Sequence, residues 1–222
     1  MTKLLLAVPT YGPVETQATR ALRAAMMHAA NHAAVSWVGD VSPNRMQFAA
    51  ARNAAVELAL ACPEANVQAA DAMMWVDSDV VLPVDAVTRL VLAQKDFVTG
   101  VYVQREPPHF PLIAQFRDGH FQWIVDFPPN VVAPIDGCGF GCVLTSMRML
   151  RALPRPPFAF ETFSEDFTFC RRTAAAGFQL YVDTGVLCGH LREPVAATYA
   201  DFVAHRDAGA LTADRRAPQS AA

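Results

Sequence analysis

The sequence predicts an α/β protein with a mostly parallel central sheet, helices on its faces and a small antiparallel hairpin. Three observations carry this. Short apolar runs alternate with alanine-rich stretches of helical period through the first hundred residues, the pattern of strand–helix–strand units. Asp118-Gly119 between two strand-like runs is a hairpin signal. At 222 residues and 53% hydrophobic composition, the chain can bury the core of one good-sized domain.

Taken in order, "KLLLAVPTYG" reads as a buried strand ending in a loop punctuated by Gly12-Pro13. Residues 14–31 are an alanine-rich helix, and "AVSWVGDV" is a second strand. Ser42-Pro43 resembles a helix start, which places a helix over "NRMQFAAARNAAVELALA". "DAMMWVDSD" is the third strand, residues 83–93 a helix, and "DFVTGVYVQ" a further strand.

After the hairpin of "PLIAQFRDGHFQWIV", "VVAPIDGCGFGCVLTS" is glycine-punctuated and strand-like at its end. Residues 147–153 form a helix, followed by the proline-rich loop "PRPPFAF". Ser164 is placed to cap the helix "EDFTFCRRTAAAG", which Gly177 closes. "FQLYVDT" is a last strand, with "VLCGHL" after it. Residues 1–206 are expected to form one domain and 207–222 a flexible tail, with no internal repeat.

The formal charge of −3 argues against a surface built mainly to grip nucleic acid. No apolar run is long enough for a membrane span or carries a signal-peptide pattern, so a soluble, cytoplasmic protein is expected. The five cysteines are irregularly spaced and do not suggest a disulfide framework. Cys138, Cys142, Cys188 and His190 fit no zinc ribbon or finger spacing, which leaves buried free thiols as the expectation.

The chemistry concentrates in "MMWVDSDVVLP". Asp77 and Asp79 end an apolar run where ligands bind in open α/β sheets, outside the carboxyl ends of the strands. At the end of this strand they share a side-chain parity, which would point both towards one site. Two carboxylates so close repel unless a cation or hydrogen-bond donors lie beside them. A hard divalent ion would serve, and so would a turn in which one aspartate caps the backbone; the spacing leaves both open.

A resemblance shifts that balance towards function. "VPTYG", "ARNAAVE", "WVDSDVVLP", "DFVTGVYVQREPP", "DGCGFGCVL", "SEDFTFCRRTAAAGFQLYVD" and "CGHL" stand in the order seen in GT-A-fold glycosyltransferases. The chain resembles family-2-like enzymes, including small stand-alone versions common in phage genomes, over residues 4–192.

The resemblance implies a Rossmann-like sheet and a role for each matching position. Pro9, Thr10 and Tyr11 match the first-strand loop that contacts the nucleoside, and Arg52 and Asn53 a helix segment near the nucleotide and its phosphates. Asp77, with Ser78 beside it, would face ribose or donor sugar; Asp79 would bind Mn²⁺ or Mg²⁺, with His190 completing the metal site. Asp166 matches the general base, and Glu165 is its neighbour and a substitute. Without the resemblance, acids in a helix's first turn also serve the helix dipole, and a lone histidine is more often structural.

Gly137, Gly139 and Gly141 do not form a phosphate loop. Gly139 either lets backbone approach the sugar or marks a tightly packed strand.

The implied reaction moves a sugar from a nucleotide diphosphate sugar, UDP-sugar favoured, to an acceptor hydroxyl with inversion. The acceptor could be a hydroxymethylated pyrimidine in phage DNA, a saccharide or a protein. For DNA, Arg148, Arg151, Arg155, Arg171 and Arg172 would meet phosphates, whereas the plain alternative is solvated helix charge. A nucleotidyltransferase and an inactive nucleotide-binding module are the other classes compatible with these residues.

Overall fold

The computed structural model describes residues 1–12, 14–33, 35–192, 195–209 and 215–217. The chain opens with β1 (Thr2–Ala7), α1 (Thr16–His32), β2 (Val35–Asp40), α2 (Phe48–Ala61), a short α3 (Ala65–Gln68) and β3 (Ala72–Val76). It continues through β4 (Val80–Val81), α4 (Ala86–Leu92), β5 (Phe97–Val101), β6 (Ile113–Arg117), β7 (His120–Trp123), β8 (Val132–Ile135), β9 (Gly137–Cys138) and β10 (Cys142–Ser146). It ends with α5 (Met147–Ala152), α6 (Glu165–Ala175), β11 (Leu180–Leu187), β12 (Gly189–Arg192), β13 (Val195–Ala197) and α7 (Tyr199–Asp207).

Seven strands form the central sheet in the order β2-β1-β3-β10-β5-β11-β8. β1 runs parallel to β2 and β3, and β5 parallel to β11. Only β10, inserted between β3 and β5, and the edge strand β8 run the other way. β3 and β5 are buried along their whole length, which is why they read as unbroken apolar runs.

One face of the sheet carries Trp75, Phe97, Phe140, Phe158 and Phe169 packed with α2, α5 and α6. The other carries Leu4, Met74, Leu90 and Val186 with α1 and α4. α1 buries only alanines, Ala18, Ala25 and Ala29, and so lies close against its neighbours. Two smaller three-stranded sheets, β13-β12-β4 and β7-β6-β9, flank the main one.

The hairpin forms at Asp118-Gly119, whose φ values of 52° and 82° are those a two-residue type I′ turn needs. Gly177 closes α6 with φ 85°. Ser164 sits at the cap position but makes no side-chain cap bond.

The helix expected from residue 44 starts at Phe48. Residues 43–45 are held to the first-strand loop instead: the Thr10 N–H donates to Pro43 O at 3.0 Å, and the Arg45 N–H to Thr10 O at 2.7 Å. Arg45 has φ 56°, incompatible with helix. Ser42 does not start a helix; its Oγ accepts the Val8 N–H at 2.8 Å.

Helix α7 was not expected from the sequence, although Thr198 and Asp201 form a full capping box at its start. Beyond it, residues 215–217 lie along β7, with Trp123 N–H to Arg215 O and Ala217 N–H to Phe121 O both 2.9 Å. Within the expected tail, Asp207 ends α7 and Ala208 and Gly209 close it, while residues 210–214 and 218–222 lie outside the described residues. Among the described residues, no helix is long and apolar enough to cross a membrane.

Candidate active site

The ends of β1, β3 and β5, the first turn of α6 and the start of β12 converge on a cavity of about 280 Å³. β3 stops at Val76, so Asp77-Ser78-Asp79 is a turn and not a strand end: the Val80 N–H returns to Asp77 O at 3.1 Å. The turn, rather than strand parity, brings both carboxylates to the cavity and parts them. Asp77 faces Arg52; Asp79 faces Arg105 and His190.

Arg52 is the centre of the cleft's inner wall. It lies on the buried face of α2 between Ala51 and Ala55, with 3% of its side chain exposed. Nη1 donates to Glu165 at 2.9 Å and to Asp166 at 2.6 Å, while Nη2 donates to both oxygens of Asp77 at 3.0 and 3.3 Å. Phe140 and Phe158 wall the guanidinium at 5.5 and 5.9 Å. Nε is buried without a hydrogen-bond partner among the described residues.

One cation thus faces three carboxylates, and that imbalance sets their chemistry. Burial, with Glu165 and Asp77 adding repulsion, pushes Asp166 up to about 7 despite the opposing pull of Arg52. The Phe140 N–H donates to the other Asp166 oxygen at 3.3 Å. The same carboxylates hold Arg52 firmly charged against its own burial. Burial and like-charge repulsion thus push the Asp166 carboxyl upward on the inner wall of the cleft, the direction a general base would require.

On the outer wall, His190 Nδ1 donates to Val103 O at 2.8 Å. That fixes the tautomer and leaves the Nε2 lone pair aimed at the cleft. Nε2 lies 3.7 Å from Asp79 Oδ2. Burial lowers the pKa of His190, which keeps the ring neutral. One carboxylate oxygen and one imidazole nitrogen suit Mn²⁺ or Mg²⁺ when donor oxygens and water complete the shell. Among the described residues no group of three or more ligating side chains gathers, so the protein offers a two-ligand corner and not a cage.

No protein-family model matches the sequence, and no curated protein matches it. Solved structures do match by shape. A197 from STIV aligns with a TM-score of 0.61 at 18% identity, over 90% of this chain and 92% of that one. GalNAc-T7, solved with UDP, GalNAc and Mn²⁺, aligns with a TM-score of 0.57 at 9% identity, over 86% of this chain and 44% of that one.

The fold is GT-A.

Within this GT-A domain, Pro9, Tyr11, Arg52, Asp77, Ser78, Asp79, Glu165, Asp166 and His190 all line the cavity. Three positions singled out from the sequence do not. The Thr10 backbone is bound to residues 43–45. Asn53, next to Arg52 but on another face of α2, clamps Phe158: its Nδ2 donates to Phe158 O at 2.8 Å and its Oδ1 accepts the Phe158 N–H at 3.0 Å. Gly139 packs against Tyr102, and a Cβ there would lie 2.1 Å from the phenol oxygen. Arg52 itself serves the carboxylates rather than standing open to phosphate.

Sequence reasoning missed Phe48, Tyr102 and Arg105. Tyr102 Oη accepts the Gly141 N–H at 3.1 Å, tying the glycine segment to the cleft floor. Tyr102 and Arg105 both stand within "DFVTGVYVQREPP", so their position just past a parallel strand was the available signal.

Four cysteines are buried and all five are free. Cys138 and Cys170 share one face of the sheet, Cys142 and Cys188 the other. Of the arginines considered for DNA, Arg148 pairs with Asp96, Arg155 with Glu57 and Arg172 with Glu161, and Arg171 stacks on Phe116 at 4.0 Å. Asp96 precedes β5, so Arg148 lies at the end of the sheet away from the cleft.

Proposed function

We propose that the chain is a metal-dependent glycosyltransferase that moves a sugar from a nucleotide diphosphate sugar, UDP-sugar favoured, to an acceptor hydroxyl with inversion. One observation carries the reading. Asp79 and His190 form a metal-competent corner on one wall of the cleft, and Asp166 stands on the opposite wall with its pKa near neutrality. The GT-A fold, shared with a protein solved with UDP and Mn²⁺, supports the same donor chemistry.

Asp79 and His190 would hold Mn²⁺ or Mg²⁺, which when bound stabilises negative charge on a departing diphosphate. Pro9, Tyr11 and Ser78 line the same cavity and are assigned to nucleoside and ribose, and Asp77, paired with Arg52, is assigned to ribose or donor sugar. Asp166 takes the acceptor's proton as its oxygen attacks the anomeric carbon. Arg52 keeps that carboxylate aimed and partly offsets the cost of its charge. Glu165, 6% exposed, anchors Arg52 and stands ready only as a substitute.

The acceptor is an alcohol. A hydroxymethylated pyrimidine in DNA, a saccharide and a protein are the three arms of the acceptor assay. The DNA arm gains little from the arginines, because four of the five are engaged within the protein.

The deciding experiment is a thermal-shift panel of UDP, GDP, CDP and dTDP, each with Mn²⁺, Mg²⁺ or chelator. Stabilisation by one diphosphate only with metal, lost in Asp79→Ala, supports the reading. An equal response from Asp79→Ala, or none from the unaltered protein, overturns it. Pyrophosphate release from a nucleoside triphosphate would mark a nucleotidyltransferase instead. Metal-dependent binding without turnover of any donor would mark an inactive module.

A further inference from the structure

We infer that Arg105 is a built-in counter-cation of the Asp79–His190 corner, which a divalent ion must displace and which then turns to the donor's diphosphate. The inference rests on the metal-dependent reading above and adds a residue that the sequence did not single out.

The geometry is that of an occupied cation site. Arg105 Nη2 pairs with Asp79 Oδ2, and its Nε donates to His190 Nε2 at 3.0 Å. These are the carboxylate oxygen and the imidazole lone pair that a metal would need. An ordinary surface ion pair would use the carboxylate alone. Here the guanidinium fork also takes the one free nitrogen of a ring whose other nitrogen is fixed on Val103 O.

The latch is built to open. Its receptors are fixed: Asp79 is 22% and His190 13% exposed, whereas Arg105 is 49% exposed. The backbone beneath it is held, with Gln104 N–H on Phe110 O and His109 N–H on Glu106 O, both 3.0 Å. Next to it, Glu106 is tied to Arg192 at 2.8 Å. Arg105 therefore moves by side-chain rotation from a fixed point on the cleft rim. A half-exposed ion pair contributes little to stability, so release costs little.

Two cations cannot share one carboxylate oxygen without repulsion, so metal and Arg105 exclude each other there. A diphosphate changes the balance. It supplies oxygens to the metal and a new anionic partner to the freed guanidinium, which matches such groups with a planar fork. Metal and nucleotide then bind with positive, reciprocal coupling routed through one side chain.

The test uses the full chain and Mn²⁺ alone, with free Mn²⁺ read by electron paramagnetic resonance. Arg105→Ala should bind Mn²⁺ several-fold more tightly than the unaltered protein, with an unchanged melting temperature in chelator. Arg105→Lys keeps the charge but loses the Nε–H to His190, and should fall between them. With Mn²⁺ saturating, Arg105→Ala should bind UDP more weakly. If Arg105→Ala binds Mn²⁺ no more tightly than the unaltered protein, the latch is overturned while the metal corner stands. If neither binds Mn²⁺, the corner falls and the latch with it.

Discussion

The Asp166 carboxylate lies 2.6 Å from Nη1 of Arg52, in a guanidinium whose Nη2 holds Asp77. The group proposed to accept a proton and the one proposed to face the donor are thus attached to a single buried cation. Substitutions in this trio should not behave independently.

Asp166→Asn should lower kcat by about 10²–10⁴-fold, the range expected for losing a general base, with little change in donor KM. Glu165→Gln should cost far less, because Glu165 is directed at Arg52 and buried. Steady-state kinetics with the donor identified by the diphosphate panel separates the two. Equal losses would move the base to Glu165 or to the pair.

The pH profile follows from Asp166 being pushed up to about 7. Only the ionised form accepts a proton, so kcat/KM should fall as pH drops through about 7. The stability effect has the opposite sign. The folded pKa lies above the unfolded value of about 3.9, so the folded state binds the extra proton between those limits. That stabilisation is present at low pH and lost as pH rises through 7. Asp166→Asn should therefore melt higher than the unaltered protein at pH 8, with the difference gone by pH 4.

Arg52→Met leaves Asp77, Glu165 and Asp166 facing one another without their cation. Urea unfolding at pH 8 should show a loss of about 3–5 kcal/mol, the cost of stripping one partner from a buried ionic cluster. The loss should shrink at pH 5, where Asp166 is protonated. A loss of the same size at both pH values would mean that packing, not charge, is what Arg52 supplies.

Asp79 and Asp77 should separate by phenotype. Asp79→Asn is expected to abolish the metal dependence of nucleotide-induced thermal stabilisation. Asp77→Asn should retain it but weaken donor use, since Asp77 touches Arg52 and not His190. Identical phenotypes would refute the division of labour within the turn.

Much of the fold was legible because buried parallel strands leave a strong local signature, as in "AMMWV" and "FVTGV", with every residue buried. The hairpin was legible from Asp118-Gly119 for a reason of backbone geometry. The insertion of β10 antiparallel between β3 and β5 was not, because pairing order is decided by long-range packing that periodicity does not encode. The same limit explains the site. Nine of the twelve expected residues line the cavity, but Arg52's partners lie 25, 113 and 114 positions away. Nor does the local sequence reveal that Asn53 faces the other way, because adjacent helical residues point about 100° apart.

That divergence of Arg52 and Asn53 has a mechanical reading. Asn53 grips both backbone groups of Phe158, and Phe158 packs beside the Arg52 guanidinium. The loop around residue 158 and the acidic cluster are thus geared through two successive residues of one helix. Whatever displaces that loop must turn the helix or strip the clamp, and a turn of the helix would carry Arg52, and with it the proposed base, out of place. Lesions in a segment that contributes no chemistry of its own would then register as faults in proton transfer.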